Sequence, residues 1–259
     1  MAVDSATVLI VLPPSETKQP SGNGPPLRLD ELSFPELTDP RDALLDDLVA
    51  LSADPVSAGR KLFTPPTRLA EVARNTRLRS ASTMPAVECY TGVLYDALDV
   101  RGMTAVQRSR ADARLVITSA VFGMVRATDL IPAYRCSNCA RLPHVGTPER
   151  YWRAFLPSVV APLIRPRGSQ GEFVVDLRSG AYTSFVALPG ALTARVVTVA
   201  ADGTRKVVSH FSKQHKGFLA RALVTSRAEI RDRAGVLRVA RTAGLRIEPL
   251  GPAAVQLIV

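Results

Sequence analysis

Residues 115–135 constrain this chain more than any other part of its sequence. An apolar run at 115–117 leads directly into a stretch in which polar and aromatic groups are crowded: Ser119, Phe122, Gly123, Arg126, Asp129, Tyr134 and Arg135. Polar groups gathered at the end of a buried strand are typical of sites that a rigid scaffold positions. The segment therefore predicts a strand with a functional site at its end.

Four further segments combine an apolar run with polar residues in the same way. They read L-P-P-S-E-T-K at 12–18, Y-T-G-V-L at 90–94, F-V-V-D-L-R-S at 173–179 with Tyr182, and S-H-F-S-K at 209–213 with Lys216, Gly217 and Arg221. All five, in this order, resemble the signature segments of the YaaA family of bacterial peroxide-stress proteins. The stretch at 118–135 is similar to that family's S-x-L-Y/F-G-x-x-R-P-x-D-x-I-x-P-Y-R signature. The resemblance covers nearly all 259 residues.

The resemblance implies a single YaaA-like domain over residues 1–259. It further implies a cytoplasmic protein that binds DNA through a basic cleft and limits oxidative damage under peroxide. In that family the region around Tyr90, Thr91 and Gly92 is likened to the helix-hairpin-helix of DNA-binding proteins. From the residues alone, a helix, a turn with Gly and a second helix at 85–98 could bind phosphate or could be an ordinary helix connection.

Periodicity and turn residues predict a mixed α and β domain, a mixed sheet flanked by helices. We expect strands at 8–12, 115–119, 173–177, 246–249 and 255–259, a hairpin of 195–199 with 206–210 around Asp202 and Gly203, and helices at 41–52, 67–78 and 213–229. Apolar runs are strand-sized and no basic region precedes the first one, so we expect no membrane span or signal peptide. Three cysteines, an odd number, fit a reducing compartment better than a disulfide framework.

The net charge of +10 is unevenly distributed along the chain. Residues 1–60 carry a net charge of −6 and the remainder +16, and residues 205–246 hold 11 basic side chains against two acidic ones. Such clustering favours polyanions as partners and predicts DNA binding without sequence specificity. The alternative is codon bias, because 28 of the 33 basic residues are Arg, as in chains from GC-rich genomes.

Residues from these segments form the predicted binding cleft, since they lie near strand ends or at the start of a helix. The set comprises Ser15, Lys18, Tyr90, Thr91, Gly92, Ser119, Arg126, Tyr134, Arg135, Arg178, Lys213, Lys216 and Arg221. Arginine and lysine can hold phosphate through bidentate or point-charge contacts. Asp129, Asp176 and His210 are the candidates for acid or base chemistry. Ion pairing at strand ends explains the two aspartates equally well.

All three cysteines lie beside the most characteristic segments, although the family pattern does not require them. Cys89 precedes Tyr90, and Cys136 and Cys139 form a C-x-x-C directly after Arg135. Three thiolates could hold zinc or an iron–sulfur cluster with one position open for substrate. A redox dithiol or small core residues are the alternatives.

Two functions from different classes follow from these features. The basic residues favour the DNA-binding peroxide-stress protein that the resemblance implies. The cysteines favour an enzyme that acts on a nucleotide, nucleobase or other small molecule in the same cleft, with a metal or iron–sulfur centre.

Overall fold

Strands alternate with helices along the chain, and most of the strands enter one sheet. The computed structural model describes residues 8–164, 172–200, 202–207 and 212–259. Within these ranges the strands are β1 (Val8–Leu12), β2 (Met84–Pro85), β3 (Leu115–Ser119), β4 (Gly123–Arg126), β5 (Leu130–Ile131), β6 (Phe173–Asp176), β7 (Leu192–Val199), β8 (Arg205–Val207), β9 (Ile247–Pro249) and β10 (Ala254–Ile258).

Eight of these strands form a mixed sheet in the order β4-β3-β1-β6-β7-β10-β9, with β8 paired to β7. The central strands β3, β1, β6, β7 and β10 are parallel, and β4, β8 and β9 are antiparallel to their neighbours. Every residue of β1 and β3 is buried, as expected of parallel strands covered on both faces. The predicted mixed α and β class is therefore confirmed. The strands β2 and β5 form a separate two-stranded ribbon.

The part of the chain that the structure describes contains eleven α-helices. They are α1 (Thr38–Leu51), α2 (Pro55–Lys61), α3 (Leu69–Arg74), α4 (Ala86–Cys89), α5 (Val93–Leu98), α6 (Ala105–Arg114), α7 (Pro148–Trp152), α8 (Leu156–Val160), α9 (Gly180–Thr183), α10 (Ser212–Thr225) and α11 (Arg233–Thr242). Side-chain caps start several of them, such as the capping box of Thr104 and Gln107 on α6 and Asp232 on α11. None of these helices is long and apolar enough to cross a membrane.

Two close approaches fix the geometry around the sheet. Gly217 in α10 lies against α5, where an added Cβ would come within 2.3 Å of the Leu94 carbonyl oxygen. Gly123 has a φ of 69° at the turn from β3 to β4, and an added Cβ there would meet the Trp152 ring at 2.9 Å. The fully buried Trp152 also donates from Nε1 to the Ala120 carbonyl, 2.9 Å away. Trp152 therefore anchors α7 in the core.

The predicted elements agree with the structure at their centres and differ at their ends. The helix expected at 213–229 ends at Thr225, and the helix expected at 67–78 is α3 with a 3-10 turn on each side. The hairpin around Asp202 and Gly203 pairs Val199 with Arg205. Its second strand was expected to continue to His210, which lies outside the described residues.

Candidate functional site

The carboxyl ends of β1, β3 and β6 meet at one edge of the sheet. The central strand β1 pairs in parallel with β3 on one side, through Leu12 and Ile117, and with β6 on the other, through Val11 and Asp176. The connection from β1 leads to β3 on one side, whereas the chain returns later to place β6 on the other side of β1. The loops that follow these strands therefore lead away from β1 in opposite directions. In open parallel sheets ligands bind in the crevice at such a point.

The loop after β1 is bound to the turn between α4 and α5. Thr91 donates its backbone N–H to the Thr17 carbonyl at 3.1 Å, and Thr17 Oγ1 donates to the Thr91 carbonyl at 3.2 Å. Gly92 has a φ of 93°, and an added Cβ would lie 3.3 Å from Ser15 Oγ. The Thr91 amide that a helix-hairpin-helix would offer to phosphate is therefore engaged within the protein.

Lys18 lies between two tyrosine rings at the centre of this region. Its Nζ donates to the Ser15 carbonyl at 2.9 Å and lies 4.0 Å from the Tyr134 ring centroid and 5.4 Å from that of Tyr90. Burial lowers the pKa of Lys18 to about 8, with the charge of Arg135 acting in the same direction. A substantial fraction of this amine is therefore neutral near physiological pH.

Three hydroxyl groups form a chain beneath Lys18. Ser119 Oγ accepts from the backbone N–H groups of Val121 and Phe122, at 3.3 and 3.0 Å, and lies 2.9 Å from the Tyr134 hydroxyl. The Tyr134 hydroxyl is in turn 2.9 Å from the Tyr90 hydroxyl. Because both lone pairs of Ser119 Oγ accept hydrogen bonds, its own hydrogen is directed to Tyr134. The chain then runs from Ser119 through Tyr134 to Tyr90.

Arg135 is buried beside Lys18, but acidic groups neutralise its charge. Its Nη1 lies 3.1 Å from Glu16 Oε2 and 3.6 Å from Glu71 Oε2, and its Nε donates to Thr64 Oγ1 at 3.2 Å. Its backbone is held by Asn75, whose side-chain Oδ1 accepts from the Arg135 N–H at 2.8 Å. The arginine therefore orders this loop and is already paired.

A small open pocket lies over these groups. Its empty space is about 250 Å³, including the mouth that opens to solvent. The lining residues are Glu16, Lys18, Glu71, Arg74, Ala133 and Tyr134. Glu16, Glu71 and Arg74 were not among the predicted site residues, and only Glu16 carried a signal, since it lies within the L-P-P-S-E-T-K segment.

A second cluster lies at the end of the neighbouring strand β6. Asp176 and Arg178 form a buried bidentate ion pair, with Nε to Oδ1 at 2.9 Å and Nη2 to Oδ2 at 2.8 Å. Arg178 also donates to the carbonyls of Tyr182 and Val186. Lys216 Nζ donates to the Arg178 carbonyl at 2.9 Å, and burial lowers its pKa. These polar groups stabilise one another, which matches the ion-pair alternative for Asp176.

Arg221 and Lys213 lie on α10 and play different parts. Arg221 donates to the carbonyls of Leu98 and Asp99 and pairs with the Asp99 carboxylate at 3.1 Å, so it caps the end of α5. Lys213 is exposed in the first turn of α10, one turn before Lys216. His210, the third acid or base candidate, lies outside the described residues.

Arg126, a predicted cleft residue, and Asp129, an acid or base candidate, do not lie in this region. The strand β4 runs antiparallel to β3, with Arg126 opposite Val116, so Arg126 lies at the opposite edge of the sheet from Ser119. Asp129 accepts from the Arg126 backbone N–H at 3.0 Å and from Ser33 Oγ at 2.7 Å. Its oxygens order the turn after β4, which matches the structural alternative for this aspartate.

The structure does not bring the three cysteines into a metal-binding group. Within residues 8–164, 172–200, 202–207 and 212–259, no three His, Cys, Asp or Glu side chains are placed to hold a metal ion. Cys89 and Cys136 are buried and Cys139 is exposed. Burial raises the pKa of both buried thiols to about 12, so without a bound metal both remain protonated thiols at neutral pH. The three cysteines are adjacent to the motifs in sequence, but their sulfur atoms do not form one group in the structure.

The structure therefore joins eight of the predicted cleft residues in one region. They are Ser15, Lys18, Tyr90, Thr91, Gly92, Ser119, Tyr134 and Arg135. Arg178 and Lys216 form the adjacent cluster. The three predicted arginines nearest to these groups, Arg135, Arg178 and Arg221, all contact carboxylates, so this edge is less basic than the sequence suggested.

Comparisons with known proteins agree with one another over most of the chain. The family model described as "Peroxide stress protein YaaA" matches residues 8–249. A UPF0246 protein of Corynebacterium efficiens is 46% identical over 93% of this chain and 95% of its own length. A UPF0246 protein of Streptomyces coelicolor is 41% identical over 95% and 94%, and one of Burkholderia thailandensis is 26% identical over 85% and 86%.

Proposed function

This chain belongs to the peroxide stress protein YaaA family, and from that membership we propose that it acts in the cytoplasm during peroxide stress by binding DNA without sequence preference. Bound protein would limit oxidative damage to the DNA that it covers. The contacts would be made to phosphates, because phosphate contacts supply affinity without reading sequence.

The observation that carries this proposal is an exposed group of arginines in the C-terminal part of the chain. We call these residues the arginine surface: Arg227, Arg231, Arg238, Arg241 and Arg246, each exposed on α11 or on the segments that flank it. Arg238 and Arg241 lie on the outer face of α11, whose opposite face packs into the core through residues such as Val236 and Val239. Glu229 and Asp232 are the acidic residues between Arg227 and Arg246. A surface with this excess of positive charge attracts a polyanion.

This assignment moves the proposed DNA contacts away from the motif cleft. Arg135, Arg178 and Arg221 already bind carboxylates or carbonyls, and Lys216 binds the Arg178 carbonyl. Release of Arg178 to phosphate would leave the buried Asp176 carboxylate without its partner, which is costly. Release of Arg135 and Arg221 would break their ion pairs with carboxylates that are partly exposed. On the arginine surface, Arg231 pairs with the Glu229 carboxylate, and Arg238 and Arg241 donate to the carbonyls of Glu229 and Ile247. The side chains of Arg227 and Arg246 have no hydrogen bond or ion pair within the described residues, so phosphate contacts at these two positions would displace nothing.

The test is duplex DNA binding measured by fluorescence anisotropy across a salt series. We expect tight binding at low salt that weakens steeply as salt rises, with the same slope for unrelated sequences. The variant Arg227→Ala, Arg238→Ala, Arg246→Ala should bind on the order of tenfold or more weaker. The slope of log affinity against log salt should become shallower by about 0.9 for each phosphate that the variant no longer neutralises.

The matched control is Arg60→Ala, Arg77→Ala, Arg150→Ala, which removes the same charge from exposed positions elsewhere. It should bind nearly as well as the unchanged protein. Binding that does not depend on salt, or equal weakening in the two triple variants, would refute the assignment to the arginine surface.

A further inference from the structure

Lys18 lacks the partner that an enclosed lysine usually has. Its Nζ donates to the Ser15 carbonyl and lies over the Tyr134 ring, while no carboxylate of the described residues comes within 4.0 Å of it. Burial lowers its pKa to about 8. A lysine held without a counterion is neutral for a larger fraction of the time at neutral pH than an exposed lysine, and only the neutral amine is a nucleophile.

The pocket that Lys18 lines also contains a second basic group. Arg74 is exposed at this pocket, and its guanidinium makes no ion pair or hydrogen bond with any described residue. The two acidic residues of the pocket, Glu16 and Glu71, are engaged by Arg135. The pocket therefore places a reactive amine beside a guanidinium that is available to an anion.

We propose that Lys18 binds a small carbonyl compound that carries a carboxylate, an oxo acid of two or three carbons, as a Schiff base, with Arg74 holding the carboxylate. The pocket is small and opens to solvent, and oxo acids of two or three carbons are the smallest molecules that carry both a carbonyl group and a carboxylate. Planar guanidinium groups bind carboxylates in a bidentate manner. This site is independent of the arginine surface, so either can be present without the other.

Formation of the Schiff base requires only the amine of Lys18, the carbonyl compound and a proton from solvent. The lone pair of neutral Nζ attacks the carbonyl carbon, the π electrons move to the oxygen, and a proton passes from nitrogen to oxygen to give a carbinolamine. The nitrogen lone pair then forms the C=N bond as hydroxide leaves, and that hydroxide takes a proton from solvent to depart as water. The Tyr134 ring beside Nζ stabilises the cationic iminium form of the product.

The experiment is reductive trapping with glyoxylate and cyanoborohydride at pH 7.5, followed by peptide mapping of the intact chain. The chain has five lysines, at 18, 61, 206, 213 and 216, so each site can be quantified separately. An amine with a pKa of about 8 has a neutral fraction over a hundred times that of one at 10.5, and allowing for partial burial we expect Lys18 to react at least about tenfold faster than exposed Lys206. Modification of Lys18 no faster than that of Lys206 would overturn the proposal.

Two variants separate amine reactivity from carboxylate recognition. Arg74→Gln should slow trapping of glyoxylate at Lys18 severalfold and leave trapping of neutral glycolaldehyde unchanged. Equal effects on both aldehydes, or none, would refute carboxylate binding by Arg74. Lys18→Arg should remove the fast site and leave the other four lysines unaffected. Because the wild-type peptide map alone identifies the reactive lysine, the test does not depend on the folding of that variant.

Discussion

Replacement of Lys18 by methionine should change how stability depends on pH. The folded state lowers the pKa of Lys18 from 10.5 to about 8, whereas the unfolded chain keeps the ordinary value. Between these values the unfolded state binds more protons than the folded state, so stability rises with pH there. The penalty for holding the charged amine is therefore fully present below pH 8 and disappears as pH rises through 10.5.

The size of this effect follows from the two pKa values. Their difference, at 1.36 kcal/mol for each pH unit, corresponds to a penalty of about 3 kcal/mol at low pH, as an order of magnitude. Between pH 7 and 9.5 the free energy of unfolding of the unchanged protein should rise by about 2 kcal/mol relative to Lys18→Met. The quantity to compare is the difference in free energy of unfolding between the two proteins at each pH. The curve of either protein alone also contains the effect of Cys89 and Cys136, whose raised pKa values lower stability above pH 9.

Urea denaturation at several pH values between 7 and 9.5 measures this difference. Lys206→Met is the matched control, because it removes the same charge from an exposed position. A wild-type curve parallel to that of Lys18→Met throughout this range would refute the claim that Lys18 is held in an environment that disfavours its charge.

Two further outcomes test the groups around the site. Arg178→Ala should lower the free energy of unfolding by about 3 to 5 kcal/mol in a denaturant titration, because it leaves the buried Asp176 carboxylate unpaired; a decrease below about 1 kcal/mol would contradict this. A thiol reagent at pH 7.5 should modify Cys139 rapidly and the other two cysteines only on unfolding, because both are buried with raised pKa values. Rapid reaction of all three thiols would show that the two buried cysteines are accessible.

The sequence predicted those parts of the site that depend on strand ends. Apolar runs located β1, β3 and β6, and the polar residues behind them, such as Ser15 and Ser119, lie at one edge because parallel strands end together. The resemblance to the YaaA family supplied the tyrosines at positions 90 and 134, which no pattern of hydropathy would have selected. Their hydroxyls do meet, 2.9 Å apart.

The position of Arg126 could not be predicted from apolar runs and strand ends. It follows the strand residues 115–119 in sequence, but the chain reverses at Gly123 and carries Arg126 back to the other edge of the sheet. The positive φ of Gly123 makes that reversal possible. Gly123 was the available signal, and a four-residue strand after it was too short to recognise from alternation.

The sequence also could not predict which arginines form ion pairs with carboxylates. Arg135 pairs with Glu71 and Arg221 with Asp99, and the residues of each pair lie far apart in the chain. Counts of charge along the sequence treat every arginine as available to phosphate. Tertiary pairing determines which arginines remain available: it engages Arg135, Arg178 and Arg221, and among the described residues it leaves Arg227 and Arg246 without an ion pair.

The most direct test of the proposed function is hydrogen–deuterium exchange of the protein with and without a mixed-sequence DNA duplex at low salt. We expect DNA to slow exchange in residues 227–246, because the phosphates contact the arginine surface. Exchange in residues 13–19 and 90–93 should stay unchanged, because this region does not contact DNA and several of its amides, such as those of Gln19 and Thr91, already bond within the protein. Slowed exchange confined to residues 13–19 and 90–93, or none in residues 227–246 under saturating DNA, would contradict DNA binding through the arginine surface.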